Sequence, residues 1–429
     1  MSLLYPFLVA AAGLAPVLGV TSLLLLLLAA ALRRRPALPP AAAPPRLAVI
    51  VPAHDEEVVL AATLISLQVQ EYPRDSFEVV VVADNCTDRT AQIAREHGVT
   101  VLERFDASAR GKGYALNHAI SHLLGRPAPP DGFIIVDADT WVALDFLACM
   151  GRRLASGGDA RGFGAWQGRY GVLNAGDGWR AALMSGAFDL VNHVKPLGRA
   201  GLGLSAGLKG NGMAFTRAVA AQVPWAGASL TEDLDYGLEL ARRFGLRVDY
   251  APEARVLAQM PASGTQAASQ RSRWERGRAR AVKERALPLL AEGLRRRSPL
   301  LLDAAWDLLV PPLAELAALV AFAGSLVVLG ISLHLLPHPA LWGAAAAGLG
   351  LGLGVYILGG LRVARAPWAA YAALVRAPFY VLWKLVLLAR KRRRHESQDW
   401  VRTARAPITP VGDAPAPIPA RPAREEPAA

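Results

Sequence analysis

The chain has 429 residues, of which 53% are hydrophobic, and its formal net charge is +12. This hydrophobic fraction is high for a purely soluble protein, so membrane spans are expected. Two cysteines, Cys86 and Cys149, are too few for a disulfide framework. No nucleic-acid module accompanies the positive charge, so no nucleic-acid partner is expected, and anionic lipid or an acidic small ligand is favoured.

Residues 1–35 are expected to form a transmembrane anchor. Leu3–Leu32 is almost wholly apolar and long enough to cross a bilayer, and Arg33, Arg34 and Arg35 follow it. A secretory signal peptide is the alternative, but it would carry positive charge before the apolar stretch. The positive-inside rule places the downstream side in the cytoplasm and the amino terminus outside.

A soluble domain, residues 47–298, is predicted after a Pro-rich linker at 36–46. Short apolar runs rich in β-branched residues alternate with segments of helical periodicity. The runs are Leu47–Val51, Phe77–Ala83, Val99–Leu102 and Phe133–Val136. This alternation predicts an α/β fold with a mostly parallel sheet and helices on both faces. Ligands bind such sheets at the carboxyl ends of the strands.

The second half of this domain has a less regular pattern. Gly162–Phe215 is interpreted as an extension of the sheet plus a helix near Trp179–Val194. We expect a capped helix at Thr231–Phe244, a strand at Arg247–Tyr250 and a long basic helix at Ser263–Arg285.

Residues 299–362 are expected to return to the membrane. They hold two apolar stretches, Leu300–Leu335 and Ala340–Leu361, each long enough to span a bilayer. Together with the anchor, these stretches predict a multi-pass protein of the cell (inner) membrane whose 47–298 domain is cytoplasmic.

Residues 363–405 are predicted to lie at the membrane surface. Within them Ala366–Leu388 is apolar but interrupted by Arg376 and Lys384, so we expect a helix in the plane of the membrane, with a further span as the alternative. The Pro- and Ala-rich tail, residues 406–429, is predicted to be disordered.

Two carboxylates, Asp137 and Asp139, directly follow the apolar run Phe133–Val136. At the end of a parallel strand both would point toward the ligand edge of the sheet. Mg²⁺ and Mn²⁺ take oxygen ligands and bridge to substrate phosphates, so one or two protein carboxylates suffice. The motif predicts a divalent-cation site, and a strand-terminating turn is the alternative.

Two other predicted strands also end in acids. Asp84 follows the second strand, and Ala53 at the end of the first leads into three acids, including Glu56, of which some cap the next helix. Three acidic strand ends would repel a phosphate unless cations intervene. Lys112, in a glycine-rich loop before a helix, is a candidate anion contact, with an ordinary loop as the alternative.

Two further groups of polar residues lie on predicted helices. Glu232 and Asp233 open a helix, so they either cap it or provide Asp233 as the general base for an acceptor hydroxyl. Gln270, Arg273 and Trp274 share one helix face at i, i+3 and i+4. An amide, a guanidinium and an indole together suit a diphosphate and a stacked sugar ring, and a basic helix lying on the membrane is the alternative.

The order of these motifs resembles that of the membrane-bound, processive-type family 2 glycosyltransferases, the group of cellulose, hyaluronan, chitin and poly-N-acetylglucosamine synthases. The motifs are Asp84, Asp137-Ala138-Asp139, Thr231-Glu232-Asp233 and Gln270-x-x-Arg273-Trp274, within residues 46–300. The resemblance implies a GT-A fold, with a Rossmann-like sheet, in a cytosolic domain flanked by transmembrane helices. It also implies a UDP-sugar donor and a single inverting displacement.

The resemblance further implies roles for individual residues. Asp233 would deprotonate the acceptor, and Asp139 would coordinate Mg²⁺ or Mn²⁺. Glu232 and Trp274 would line the acceptor site. The implied donor-binding residues are Ala53, Glu56, Asp84, Lys112, Asp137, Asp139, Gln270 and Arg273.

The expected partners are a UDP-sugar, a saccharide or glycolipid acceptor and membrane lipid, and partner subunits are left open. The membrane part is smaller than in the large synthases, which weakens the expectation of autonomous polymer secretion. One alternative is a non-processive transferase acting on polyprenyl phosphate or another lipid carrier, against which the Gln270–Trp274 motif argues. Another is a catalytically silent membrane subunit that binds nucleotide sugar, against which the intact Asp139 and Asp233 argue.

Overall fold

The computed structural model describes residues 4–33, 43–225, 227, 229, 231–260 and 274–391. Most of the linker, residues 261–273 with Gln270 and Arg273, and the tail from residue 392 lie outside the described part, so the expectations for them stay predictions. The described residues form two compact units, which we call the sheet unit and the helical unit. The sheet unit falls within Arg35–Ala175 and Ser205–Arg278, and the helical unit within Met1–Arg34, Gly176–Leu204 and Ala279–His395.

The sheet has eight strands in the described part of the chain. They are β1 (Leu47–Ala53), β2 (Phe77–Asp84), β3 (Thr100–Arg104), β4 (Gly132–Ile135), β5 (Thr140–Val142), β6 (Ala165–Val172), β7 (Met213–Thr216) and β8 (Asp249–Ala258). Their order in the sheet is β3-β2-β1-β4-β7-β6-β8-β5. β3, β2, β1 and β4 are parallel, whereas β7 is antiparallel to β4 and β6, and β8 is parallel to β6 but antiparallel to β5.

The helices of both units are numbered here in chain order, within the described residues. They are α1 (Leu4–Leu32), α2 (Leu60–Gln68), α3 (Thr90–Glu96), α4 (Lys112–Leu124), α5 (Phe146–Ala155), α6 (Trp179–Asp189), α7 (Lys195–Gly201), α8 (Arg217–Gln222), α9 (Glu232–Phe244), α10 (274–281), α11 (Leu287–Arg296), α12 (Pro299–Leu309), α13 (Leu313–Ser332), α14 (Pro339–Ala364), α15 (Trp368–Ala373) and α16 (Ala377–Lys391). Two π-helical segments, Leu190–Val194 and Val282–Ala286, and two 3₁₀ turns, Arg74–Ser76 and Leu374–Arg376, complete them.

Buried side chains cover both faces of the sheet. β1 is buried along its whole length, and its alternate residues point to opposite faces, with Val49 on one and Ile50 on the other. The first face packs against α2 through side chains such as Leu64, and the second packs against α4 and α9 through Leu116 and Leu240. The expected α/β class with helices on both faces is therefore confirmed, and burial on both faces explains the continuous apolar runs.

Three parallel strands bring their carboxyl ends to one edge of the sheet. In the register, Ala53 of β1 pairs with Ala83 of β2, and Ile50 of β1 pairs with Ile135 of β4. Because Asp84 ends β2 and Asp137 lies two residues beyond the end of β4, these acids lie on either side of β1 at this edge.

Two details of the sheet unit differ from the expectation. The helix α9 begins at Glu232, but the Thr231 side chain makes no capping hydrogen bond, and its methyl group faces Gly277 of α10 instead. The acidic first turn of α9 itself favours the helix start. The strand expected at Arg247–Tyr250 is the longer β8, which pairs with β6 on one side and β5 on the other.

The helical unit draws on a segment that we expected inside the 47–298 domain. Gly176–Leu204 belongs to this unit because α7 packs closely against α1. A Cβ atom built on Gly198 would lie 2.1 Å from the Leu26 carbonyl oxygen, so only glycine permits this approach. Residues 47–298 thus contribute to both compact units, and the domain bounds stay a prediction.

Three helices in the described part are long and apolar enough to cross a membrane, namely α1, α13 and α14. The expected span Leu300–Leu335 is not one helix, because α12 ends at Leu309 and Pro311 and Pro312 precede α13. A proline inside a helix removes a backbone hydrogen bond and clashes with the preceding turn. The first of the two carboxyl-terminal candidate spans therefore begins at Leu313.

The segment Ala366–Leu388 consists of α15 and α16, separated by the 3₁₀ turn. α16 has 15 residues, fewer than the roughly 20 that a helix needs to cross a typical bilayer. The placement of this segment in the membrane plane stays a prediction.

Candidate functional site

The connection between β4 and β5 carries Asp137 and Asp139. Thr63 of α2 holds this connection by two hydrogen bonds. The Thr63 hydroxyl donates to the Ala138 carbonyl at 2.6 Å and accepts the Thr140 N–H at 3.1 Å. Thr63 is fully buried, and Asp139 is 7% exposed. The predicted acidic turn therefore has a defined conformation at the ligand edge of the sheet.

A second residue, Asn211, also holds this turn by hydrogen bonds. The Asn211 side-chain oxygen accepts the Asp137 N–H at 3.1 Å, and its amide donates to the Thr140 hydroxyl at 2.8 Å. Asn211 is fully buried. It lies just before β7, in a part of the chain where we predicted only an extension of the sheet.

Lys112, the first residue of α4, pairs with the Asp137 carboxylate. Its ammonium group also donates to the Gly210 carbonyl at 2.5 Å and lies 4.0 Å from Glu232. Burial lowers the pKa of Lys112, but the neighbouring Asp137 and Glu232 carboxylates raise it above its ordinary value overall. Lys112 is therefore a charged ammonium group shared between two acids.

Asp233 approaches the same place from the first turn of α9. A Cβ atom built on Gly210 would lie 3.5 Å from Asp233 Oδ2 and 3.7 Å from Lys112 Nζ, so these two groups lie next to Gly210. Gly210 has a φ of 80°, which glycine adopts without strain. Lys112, Asp137, Glu232 and Asp233 therefore converge on one cluster.

Glu232 and Asp233, the first two residues of α9, both have a raised pKa. Burial raises the pKa of Glu232 to about 7, with Asp233 adding to the rise and Lys112 opposing it. Burial also raises the pKa of Asp233, opposed by the Leu234 N–H, Lys112 and Lys209. Acidic charge is therefore costly here, and Lys112 offsets only part of it.

Asp84 ends β2 and is fully buried. One of its oxygens accepts from Arg104 at 2.6 Å, and the other is buried with no hydrogen-bond partner among the described residues. Arg104 also lies over the Tyr114 ring at 5.5 Å. Asp84 therefore keeps one buried carboxylate oxygen without a hydrogen-bond partner among the described residues, and such a group calls for an explanation.

The loop after β1 joins the loop after β2. The Glu56 N–H donates to the Thr90 hydroxyl at 2.8 Å, and the Asp55 carboxylate accepts the Thr87 N–H at 2.7 Å. The Ala53 carbonyl accepts from the Cys86 thiol at 3.5 Å. These contacts make Ala53 and Glu56 parts of a fixed loop at the strand edge.

Within the described residues, one group of three side chains is close enough to share a metal ion, namely Asp55, Cys86 and Asp88. Burial raises the pKa of the Cys86 thiol to about 11, and sulfur is a soft ligand, whereas Mg²⁺ and Mn²⁺ prefer oxygen ligands. The Asp88 carboxylate already accepts the Glu57 and Thr90 N–H groups at 3.1 and 2.9 Å. This group suits a hydrogen-bonded loop better than a hard cation.

The cluster at the acidic turn fits a hard divalent cation by its chemistry. Its donors are carboxylate oxygens, which Mg²⁺ and Mn²⁺ prefer. Repulsion from the Asp233 and Asp137 carboxylates contributes to the raised pKa of Glu232, and an added positive charge would relieve that repulsion. The assignment of Asp139 as the metal ligand stays a prediction.

We predicted that Gln270, Arg273 and Trp274 share one helix face. Of these three residues, the structure describes Trp274. It is partly exposed and lies in α10. A Cβ atom built on Gly277 of the same helix would lie 2.3 Å from the Thr231 methyl carbon. α10 therefore packs against the residue that precedes α9 and its two acids.

Sequence reasoning did not identify Thr63, Lys209, Gly210 or Asn211 as site residues. The last three lie in a stretch where glycines alternate with polar residues directly before the apolar β7. That local pattern was the available signal for a loop approaching a ligand site.

A sheet whose acidic strand ends meet a buried lysine is typical of an α/β domain that binds a phosphorylated ligand together with a divalent cation. Residues 44–277 match the glycosyltransferase-like family 2, and the chain belongs to this family. The match covers more than half of the chain, and the GT-A fold expected from the resemblance is confirmed. The family match does not distinguish the processive type.

Two curated relatives share this region. "Probable glycosyltransferase YdaM" of Bacillus subtilis is 27% identical over 235 residues, covering 52% of this chain and 53% of the relative. "Beta-monoglucosyldiacylglycerol synthase" of Synechocystis is 31% identical over 196 residues, covering 44% of this chain and 38% of the relative. The chain thus spans about half, or less, of the length of the curated relatives that it matches.

Solved structures of glycosyltransferases are also similar to this chain. A mannosyltransferase from Pyrobaculum calidifontis, in complex with GDP-Man and Mn²⁺, has a TM-score of 0.48 and 23% identity over 82% of this chain and 97% of that chain. Glucosyl-3-phosphoglycerate synthase from Mycobacterium tuberculosis has a TM-score of 0.37 and 19% identity over 56% and 86% of the two chains. At these scores the likenesses carry no information on substrate.

Proposed function

We propose that this protein is an inverting glycosyltransferase that moves a sugar from a UDP-sugar onto a hydroxyl of a glycolipid or polysaccharide acceptor. The observation that carries the proposal is the convergence of Lys112, Asp137, Glu232 and Asp233 at the carboxyl edge of a family 2 sheet. Such a cluster combines a fixed cation with carboxylates for metal binding and for proton transfer.

Asp233 is the general base of the proposed reaction. Its raised pKa makes it a better proton acceptor than an exposed aspartate. It takes the proton of the acceptor hydroxyl while the acceptor oxygen attacks the anomeric carbon. The bond from that carbon to the diphosphate oxygen breaks in the same step, so the configuration inverts. Glu232 and Trp274 line the acceptor side in this proposal.

The donor side of the site is assigned to residues at the strand edge. Asp139, with Asp137 beside it, holds Mg²⁺ or Mn²⁺, which when bound supplies positive charge for the departing diphosphate. Lys112 adds a fixed positive charge next to Asp137. Asp84 offers its buried acceptor to the uracil N–H, and Ala53 and Glu56 border the nucleotide. Gln270 and Arg273 are proposed to contact the diphosphate.

A membrane-borne acceptor is favoured over a soluble one. Three helices of the described part are long and apolar enough to span a bilayer. The similar Synechocystis protein is named for glucosylating a diacylglycerol. We propose a multi-pass protein of the inner membrane with the sheet unit in the cytoplasm and a glycolipid acceptor, with a polysaccharide as the second candidate.

The experiment measures nucleoside diphosphate release by the purified protein in nanodiscs, with Mn²⁺ or Mg²⁺ and with UDP-sugars or GDP-sugars as donors. The acceptors compared are diacylglycerol, a glycosyldiacylglycerol, an oligosaccharide and polyprenyl phosphate. Asp233→Asn is expected to lower the rate by about 10²- to 10⁴-fold, the contribution of a general base. Asp235→Asn in the same helical turn is the control, because the Asp235 carboxylate accepts from Ser229 at 2.5 Å. Equal rates for wild type and Asp233→Asn would exclude Asp233 as the base.

The donor screen also decides between the functional classes. Release with a UDP-sugar and a sugar-bearing lipid product supports the proposal. Transfer to polyprenyl phosphate alone would support a lipid-carrier transferase. Nucleotide-sugar binding without release from any donor would indicate a silent subunit.

A further inference from the structure

Both polar groups of the Asn211 side chain form hydrogen bonds with the acidic turn. Its oxygen accepts the Asp137 N–H and its amide donates to the Thr140 hydroxyl, so it bridges the two ends of the stretch that contains Asp139. A fully buried amide with both groups satisfied by one turn restricts the conformations of that turn.

Asn211 is itself held from the sheet. Gln167 of β6 donates to the Asn211 carbonyl at 2.8 Å and accepts the Lys209 N–H at 2.8 Å. The Gly212 N–H donates to the Ile135 carbonyl at 2.9 Å, which ties the segment to the end of β4. Residues 209–212 therefore form a rigid support and not a free loop.

The same segment, residues 209–212, also contacts Lys112. The Gly210 carbonyl accepts from Lys112, which pairs with Asp137. One short segment thus fixes the backbone of Asp137 through Asn211 and the charge beside its carboxylate through Gly210.

We propose that Asn211 is a positioning residue that sets the direction of the Asp137 and Asp139 carboxylates toward a divalent cation. The inference rests on the proposed function of that turn in donor binding. Partners that orient metal ligands without touching the metal affect metal affinity by about 10- to 100-fold. Loss of Asn211 releases both ends of the turn while leaving every carboxylate in the chain.

A matched residue exists for separating positioning from general stability. Asn117 of α4 also uses both groups of its side-chain amide, donating to the Trp225 carbonyl at 2.7 Å and accepting the Trp225 N–H at 2.8 Å. Asn117→Ala and Asn211→Ala therefore remove equal numbers of hydrogen bonds, but only the second removes them from the acidic turn.

The experiment titrates Mn²⁺ by electron paramagnetic resonance against the full-length protein in nanodiscs, with and without UDP, alongside the thermal midpoint of unfolding. Asn211→Ala is expected to weaken Mn²⁺ binding about 10- to 100-fold. Asn117→Ala is expected to leave Mn²⁺ binding unchanged despite its own loss of thermal stability. Thr140→Val, which removes only the contact with the Asn211 amide, is expected to be intermediate and replaces Asn211→Ala if that variant does not fold.

The outcomes separate this inference from the proposed function, because binding requires no turnover. Wild-type Mn²⁺ affinity in the Asn211 and Thr140 variants, or no Mn²⁺ binding by the wild type, would overturn the inference. Equal weakening by Asn117→Ala would also overturn it, since a merely structural role predicts that result. Weakened Mn²⁺ binding in a protein that transfers no sugar would support the inference and reject the proposed function.

Discussion

Glu232 and Asp233 are adjacent acids that share one lysine. Burial raises the pKa of both, and Lys112 opposes the rise while it also pairs with Asp137. Lys209 lowers the pKa of Asp233 but is not among the main influences on the pKa of Glu232. The two acids therefore have different environments. Neighbouring acids in different environments can serve different roles in proton transfer.

The protonation of Glu232 predicts a pH dependence of stability. Its pKa is about 7 in the folded protein against 4.5 ordinarily, so the folded state binds the extra proton between these values. The stability due to Glu232 is therefore complete below about pH 4.5 and is lost as the pH rises through about 7. Glu232→Gln is expected to flatten this decline.

The measurement is the thermal midpoint of the protein in EDTA from pH 5 to 8, for wild type and Glu232→Gln. Lys112, Asp137 and Asp233 are the charged groups that face Glu232 and are kept in both proteins. An identical pH slope for the two proteins would contradict the prediction.

Substitutions in the two candidate metal groups are expected to differ in their effect on Mn²⁺ affinity. Cys86→Ser is expected to leave Mn²⁺ affinity unchanged, because Mn²⁺ prefers oxygen ligands to sulfur. Asp139→Asn removes a charged oxygen ligand and is expected to weaken Mn²⁺ binding by at least about 10-fold. Calorimetric titration with Mn²⁺ compares the two variants, and the reverse order would move the metal to the Asp55, Cys86 and Asp88 group.

The residues found from the sequence share one property, which is that each stands at the end of a strand or the start of a helix. Asp84 and Asp137 follow apolar strands, and Asp233 lies in a first helical turn. Asn211 was missed because its partner Asp137 is 74 positions away, and Thr63 because Thr140 is 77 positions away. Local patterns identify the carboxylates but not the distant side chains that orient them.

At the scale of elements, α7 packs closely on α1. A Cβ atom on Gly198 would meet the Leu26 carbonyl at 2.1 Å, and one on Gly201 would meet the Ala29 carbonyl at 3.0 Å. These glycines are one turn apart, so the two helix backbones touch along a short line. Small residues at such contacts permit close packing within a bilayer.

Gly198→Ala is expected to lower the free energy of unfolding by about 1–3 kcal/mol, the usual cost of overpacking. Gly13→Ala in α1 is the control, because a Cβ atom there has nothing within 4 Å. Thermal unfolding in detergent, followed by circular dichroism, compares the variants. A Gly198→Ala protein as stable as Gly13→Ala would contradict the close contact.

The central strands were predictable because β1 and β2 are continuous apolar runs with both faces buried. β8 was recognised only at its start because Pro252, Glu253 and Arg255 interrupt its pattern, and its pairing depends on distant strands. The break at Pro311 was visible in the sequence, but the apolar residues around it favoured one long span.

At the scale of the whole molecule, the positions of α1, α13 and α14 in the chain predict the topology. With the sheet unit in the cytoplasm, α13 leads outward and α14 returns, so the turn between them faces outside. Leu335→Cys, in a Cys86→Ser and Cys149→Ser background, is expected to react with a membrane-impermeant maleimide in intact cells. Ala160→Cys in the sheet unit is expected to react only after lysis, and the opposite result would reject this orientation.

The helical unit is assembled from three separate stretches of the chain, and this has a consequence for biosynthesis. α1 packs against α7, α13 and α14, and about 280 residues separate the end of α1 from the start of α13. At roughly 5–20 residues per second, a ribosome needs on the order of 15 to 60 s for that interval. The eight described strands are therefore synthesised before α13. The sheet can form while α1 still lacks its contacts with α13 and α14.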